Sequence, residues 1–280
     1  MTRTAIAILA AAAAFYAPLS AAQQRPQAYG FYVLHQRTIS LTAQYWNPIL
    51  THASKKSGVP LDLKLAKNAQ VGNANAEAGK YDFQYTNHFF TPERDRLGWK
   101  VIARPVGPGI RSHIVVPQDS PIKSLQDLQG KEVGFVSRDG FTGYWVPYDA
   151  LLRADVNIKV VFTGNQEASF AQLRVNKLDA AGVNSTVIDR YGRREGFQYR
   201  PLWTSEPYGD LCIMANPKVP AAVVAAVTTA LVEMSKDPEG RKVLQAGADL
   251  LKMNGELGFV RADDSEYDNY RKFYRNTKVK

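Results

Sequence analysis

The segment Ser137-Arg138-Asp139-Gly140-Phe141-Thr142-Gly143-Tyr144 sets a hydroxyl between two glycines. It stands where a strand-like run, Glu132–Val136, gives way to a helical one, Tyr144–Arg153. A turn of this kind aims free backbone N–H groups and the positive end of a helix at one spot, which is chemistry for holding an anion rather than for breaking a bond. Glycines also sit at strand-to-helix turns for steric reasons alone, and Thr142 reads equally well as an ordinary N-cap. The turn therefore needs partners.

In open α/β sheets ligands bind beyond the carboxyl ends of strands, so residues just after each strand are the partners to look for. That rule selects His35, then Thr86, Asn87 and His88, then Gly140, Phe141, Thr142, Gly143 and Tyr144. It continues with Asn165 and Gln166, Asn184 and Ser185, and the stretch from Glu206 to Asp210 that contains Tyr208. A histidine beside a bound anion is expected to hold its proton; plain loop polarity is the alternative for His35 and His88. Tyr85, Phe89, Phe90, Phe141, Tyr144 and Trp145 make this set aromatic. Most read as core, with Phe141 on the turn placed to pack against an organic substituent. No Gly-x-Ser-x-Gly elbow, phosphate loop ending in Lys-Ser/Thr or His-Glu-x-x-His site occurs, so no catalytic residue and no cofactor are assigned. The four histidines are too dispersed to read as a metal cluster.

These residues hang on a pattern of short apolar runs alternating with amphipathic ones from residue 28 onward, the mark of βα units around a mostly parallel sheet. Strands are predicted at Ala28–Leu34, Leu61–Ala66, Tyr81–Tyr85, Trp99–Pro105, His113–Pro117, Asn157–Thr163, Ala180–Asn184, Tyr199–Ser205 and Leu211–Ala215. Helices are predicted at Leu41–Lys56, Gln70–Ala78, Gln166–Val175, Thr186–Tyr191, Pro220–Lys236 and Pro238–Ala246, followed by a charged tail.

Arg3, the apolar run Ala5–Tyr16 and Pro18-Leu19-Ser20-Ala21-Ala22 read as a secretory signal, residues 1–22, with an uncleaved anchor as the alternative. The run is shorter than the roughly 20 apolar residues of a spanning helix. The 280-residue chain carries 35 Lys and Arg against 26 Asp and Glu, a formal charge of +9; removing residues 1–22 takes only Arg3 and leaves +8. The basic residues are scattered and no base-reading motif occurs, which argues against nucleic acid and for long-range attraction of a small anion. Cys212, the lone cysteine, excludes an intrachain disulfide and reads as a small buried hydrophobe.

The phrases Ile114-Val115-Val116, Ser120-Pro121-Ile122-Lys123-Ser124-Leu125-Gln126-Asp127-Leu128-Gln129-Gly130-Lys131, Val161-Phe162-Thr163-Gly164, Lys177–Arg190 and Lys236-Asp237-Pro238-Glu239-Gly240 follow one another in an order and spacing that closely resembles the phosphate, phosphite and phosphonate-binding proteins of ABC importers. The resemblance implies a type II periplasmic binding fold: two α/β lobes, residues 28–115 plus 210–280 and 116–209, joined by two crossing strands around a ligand cleft. It implies a periplasmic protein, expected to act as a monomer, that captures a small anion for an ABC permease. A sensor of the same fold reporting to a membrane histidine kinase is the alternative. Where the family carries a Ser-Thr-Ser run this chain has Gly140-Phe141-Thr142, and Asn184 stands where the family often has an acid. Two hydroxyl donors are missing, each worth about 1.5–3 kcal/mol to a charged ligand, so the cleft is expected not to prefer inorganic phosphate.

Overall fold

The computed structural model describes residues 28–34 and 36–280. Residues 1–22, read above as a secretory signal, and His35 lie outside the described residues. Among the described residues no helix is long and apolar enough to cross a membrane.

The chain begins with β1 (Tyr29–Val33), α1 (Ile39–Ser57), β2 (Leu61–Lys64), α2 (Ala69–Glu77), β3 (Phe83–Thr86), α3 (Pro92–Asp95) and β4 (Lys100–Pro105). It then crosses to β5 (Ser112–Pro117) and β6 (Glu132–Phe135). A π-turn, Phe141–Trp145, runs straight into α4 (Val146–Arg153). β7 (Lys159–Phe162), α5 (Gln166–Arg174), β8 (Ala180–Asn184), α6 (Ser185–Glu195) and β9 (Tyr199–Thr204) complete that half. The chain returns through β10 (Cys212–Ala215), α7 (Ala221–Val232), α8 (Pro238–Leu251), β11 (Phe259–Arg261) and α9 (Asp268–Asn276).

Two sheets result. One has the order β11-β4-β10-β3-β1-β2 and the other β7-β6-β8-β5-β9. Central strands such as β8 are buried along their whole length, which is why they read as continuous apolar runs rather than as alternation. The fold is type II periplasmic-binding-like, yet the sheets are more mixed than the mostly parallel arrangement expected. β10 runs antiparallel to both β3 and β4, and β5 antiparallel to both β8 and β9. The reason is the crossing itself: β10 and β5 arrive from the other sheet and so enter against the local direction. β5, which a division at residue 115 would cut, lies whole in the second sheet.

The crossings are residues 106–111 and 205–211. They pair at Ile110 and Tyr208, each N–H donating to the other's carbonyl at 2.8 Å. Gly109 has φ +88°, and a Cβ there would stand 2.3 Å from the Tyr208 carbonyl oxygen, so the crossings lie too close for any side chain.

The charged tail also departs from expectation by folding as β11 and α9. Tyr267, Tyr270, Phe273 and Tyr274 recur at helical spacing beneath the charges and carry an apolar face into the protein. Tyr267 and Tyr270 are fully buried. Beyond α9 the chain reaches the second sheet, where Val279 packs with Ile114, Val133 and Leu151. Thr277 Oγ1 and the Lys278 N–H both donate to Asp149 Oδ1, at 2.9 and 2.6 Å.

Candidate ligand-binding site

Three helices direct their N-termini at one hollow between the sheets, a cavity of about 40 Å³. The first is α2, whose Ala69 lines it and whose Asn68 side chain accepts from Val71 N–H at 2.9 Å. The second is the π-turn that opens α4, and the third is α5, with Asn165 capping Ala168 N–H at 2.9 Å and Gln166 on the wall. In the π-turn the helical bonds start only at Trp145 N–H to Gly140 O and Val146 N–H to Phe141 O. The amides ahead of them have no intrahelical partner and are free for a ligand. Converging helix ends of this kind hold negative charge without any cationic side chain.

The hollow gathers Asn87, His88, Gly140, Phe141, Thr142, Gly143 and Gln166 from the residues read off the sequence. Thr142 is not an N-cap: Gly140 holds that position, and the Thr142 carbonyl is fixed by Ser112 Oγ at 2.7 Å. Gly143 leaves no room for a side chain, since a Cβ would meet Gln166 Nε2 and Val136 Cγ2 at 2.8 Å. Asn87 Nδ2 donates to the Tyr270 hydroxyl at 3.2 Å, which passes its own proton to Gly209 O at 2.6 Å. The Phe141 ring is fully buried and stacked on Tyr270 at 4.0 Å, with Tyr208, Phe273 and Tyr274 around it. Its aromatic cluster stiffens the turn.

Other predicted site residues stand outside this wall. Thr86 Oγ1 accepts from His88 N–H at 3.1 Å and holds the loop. The Tyr144 ring packs into the second core against Phe135, Tyr148 and Phe162. Asn184 is fully buried; its Oδ1 caps α6 through Thr186 and Val187 N–H, and its backbone N–H donates to Gln166 Oε1 at 3.2 Å. Its Nδ2 has no hydrogen-bond partner among the described residues. Ser185 Oγ accepts from Arg111 N–H at 3.0 Å. Tyr208 lines a neighbouring, wider cleft. Leu34, Gln36, Ala69 and Leu211 were not singled out although they line the hollow. The strand-end rule applied after β2 leads to Asn68 and Ala69 directly.

The expectation of a protonated histidine is corrected. Burial pushes His88 down to about 4, so the ring is neutral at pH 7. Its Nδ1 lies 3.1 Å from Asn73 Nδ2, an amide donor that also reaches Asp139. The neutral ring accepts there and carries its proton on Nε2. Asp139, on the cradle turn, would be raised by burial, but Arg94 and its hydrogen bonds bring it below the usual carboxylate range. Arg94 Nη1 donates to Asp139 Oδ1 at 3.0 Å and to His88 O at 3.2 Å, joining the two halves at the rim.

Among the described residues one trio of metal-ligand types, His52, Asp237 and Glu239, comes together on the first half, and Lys56 and Lys55 already neutralise its two carboxylates.

A family model described as ABC transporter, phosphonate, periplasmic substrate-binding protein matches residues 31–267. Among solved structures, PhnD1 from Prochlorococcus marinus in complex with methylphosphonate superposes with a TM-score of 0.76 at 17% identity, covering 90% of this chain and 98% of that one. A binding protein component of an ABC phosphonate transporter from Pseudomonas aeruginosa gives 0.76 at 19%, covering 88% and 85%. A Xanthomonas citri protein bound to ATP gives 0.68 at 17%, covering 89% and 96%. No curated protein matches the chain in sequence. Methylphosphonate and ATP on one fold show that the fold does not choose the ligand.

Proposed function

This chain belongs to the ABC-transporter phosphonate periplasmic substrate-binding protein family, and from that premise we propose that the hollow at Gly140–Tyr144 binds a small phosphonate-like oxyanion for delivery to an ABC permease. The family consists of solute-binding components of transporters, not enzymes, and it is periplasmic. The observation that supports the ligand class is the convergence of three helix N-termini, at Ala69, Thr142 and Gln166, on a cavity of about 40 Å³, which suits one compact anionic group.

The residues assigned to the ligand are the Thr142 hydroxyl, the N–H groups of Thr142, Gly143 and Tyr144, Gln166, Asn87 and the Nε2–H of His88. Ligand closure is assigned to the paired crossings at 106–111 and 205–211, with the first sheet as the core of one lobe and the second as the core of the other. Residues 1–22 act as the export signal and the protein works as a monomer. The family description names a transporter component, which favours the importer reading over a kinase-linked sensor.

Calorimetric titration with methylphosphonate, ethylphosphonate, phosphate and sulfate tests the reading. A phosphonate binds more tightly than phosphate, and Thr142→Val weakens it at least tenfold with little change in melting temperature. Tight phosphate binding above every phosphonate, or an unaltered affinity in the valine variant, defeats it.

A further inference from the structure

Beyond Leu34 and Gln36, which line the cradle on one side, a second hollow opens whose walls include Arg37, Tyr45, Tyr85, Arg190 and Asp210. It continues into a wider cleft of about 700 Å³ that shares Tyr45, Tyr85, Arg190 and Asp210. The two arginines come from different halves of the molecule: Arg37 follows β1 of the first sheet, and Arg190 lies on α6 of the second half. Asp210 sits at the end of the second crossing and accepts Leu211 N–H at 2.7 Å.

The arrangement is rich in donors and short of acceptors. Arg37 Nη2 is buried without a hydrogen-bond partner among the described residues. A buried guanidinium donor left open is destabilising, and it rarely persists in a protein without a ligand or ion to complete it. Burial, then the like charge of Arg190, pushes the Arg37 guanidinium below its ordinary value. Burial also raises the hydroxyls of Tyr45 and Tyr85, which stay neutral and able to donate. Of the charged groups that wall this hollow, two are cations and one is the carboxyl of Asp210, which burial pushes up; Glu167 acts on Arg37 from outside the wall, so the wall itself keeps a positive excess. A carboxylate matches that balance, since it brings one negative charge and two coplanar oxygens to the planar guanidinium fork.

Resting on the assignment of the cradle as an oxyanion site, we propose that the hollow walled by Arg37 and Arg190 is a second anion subsite that takes a carboxylate on the same ligand, so that the preferred ligand class is a carboxyalkylphosphonate rather than a simple alkylphosphonate. The phosphonate end sits on the helix termini, the chain passes Leu34 and Gln36, and the carboxylate meets one arginine from each half. Closure and recognition of the distal acid are then one event, because Arg190 reaches the carboxylate only when the halves come together.

Calorimetric titration of the native chain with methylphosphonate, propylphosphonate and 3-phosphonopropionate tests this, the last two having the same reach and differing in the terminal charge. The acid binds at least tenfold more tightly than propylphosphonate, and Arg190→Gln shrinks that gap to under threefold while methylphosphonate stays within threefold of native. Equal binding of the acid and propylphosphonate by the native chain overturns the subsite and leaves the cradle standing, and it decides the matter even where a variant does not fold. Arg190→Gln weakening all three ligands equally also overturns it, since the arginine then serves the oxyanion or the fold. Binding of none of the three overturns the cradle assignment and this subsite with it.

Discussion

Arg94 Nη1 donates to Asp139 Oδ1 at 3.0 Å, and this bond joins α3 to the turn proposed as the anion cradle. Both side chains are mostly buried, 17% and 22% exposed, and Arg94 also ties to Glu77 at 2.6 Å. The pair ties the two halves together at the rim, and it should favour their closure on a ligand.

Asp139→Asn keeps the shape and removes the charge. The closed form then loses on the order of 1 kcal/mol, and ligand affinity falls severalfold, up to about tenfold. Small-angle scattering of the ligand-free variant shows a larger radius than native, and calorimetry with methylphosphonate shows the weaker binding. Identical radii and affinities would show that the bond carries no share of closure.

His88 is pushed down to about 4 from an ordinary value near 6.5, so between those pH values the unfolded chain takes up a proton that the folded one refuses. Stability therefore falls as pH drops through this window, by roughly 3 kcal/mol at about 1.4 kcal/mol per unit. Asp139, lowered below 3.8 and in contact with His88 through their charges, loses its own contribution beneath the window. Urea melts of native and His88→Gln protein from pH 7 to 4 should show a flatter slope in the variant. Equal slopes sink the assignment.

Gly109→Ala places a Cβ 2.3 Å from Tyr208 O at φ +88°. Gly107→Ala, at φ +141° with open space around it, carries the backbone strain without the collision. The Gly109 variant should lose roughly 2 kcal/mol or more, and distinctly more than its neighbour, because the Ile110–Tyr208 bridge must part. Equal melting temperatures for the two would mean that the crossings tolerate being pushed apart.

Deleting residues 277–280 removes buried Val279 from the second core and strips Asp149 of two hydrogen bonds, leaving it with Arg153. The expected loss is roughly 2–4 kcal/mol, read as a lower melting temperature. An unchanged melting temperature would show the tail to be dispensable.

The sequence disclosed the alternation of elements because buried strands such as β8 are unbroken apolar runs, and it led to most of the residues around the Gly140–Gly143 hollow because strand ends can be counted. The direction of β10 was hidden, since nothing in Leu211–Ala215 says that it slots between β3 and β4. α9 was hidden by charge, its aromatic stripe diluted by Asp, Arg and Lys. The state of His88 depends on how deeply it is buried, which a loop position does not reveal. Arg37 and Arg190, 153 positions apart by their numbers, meet only through the fold.

β10 fills the centre of the first sheet, between β3 and β4, although its residues are made only after the whole second half. The first sheet is incomplete without a strand that follows the second half, and the second core takes in Val279 from the chain beyond α9. Both cores are therefore built from segments far apart in sequence, the kind of topology whose contacts form slowly. In a member of a periplasmic family, the order of strands within one sheet thus sets how much of the chain must be present before that sheet is whole.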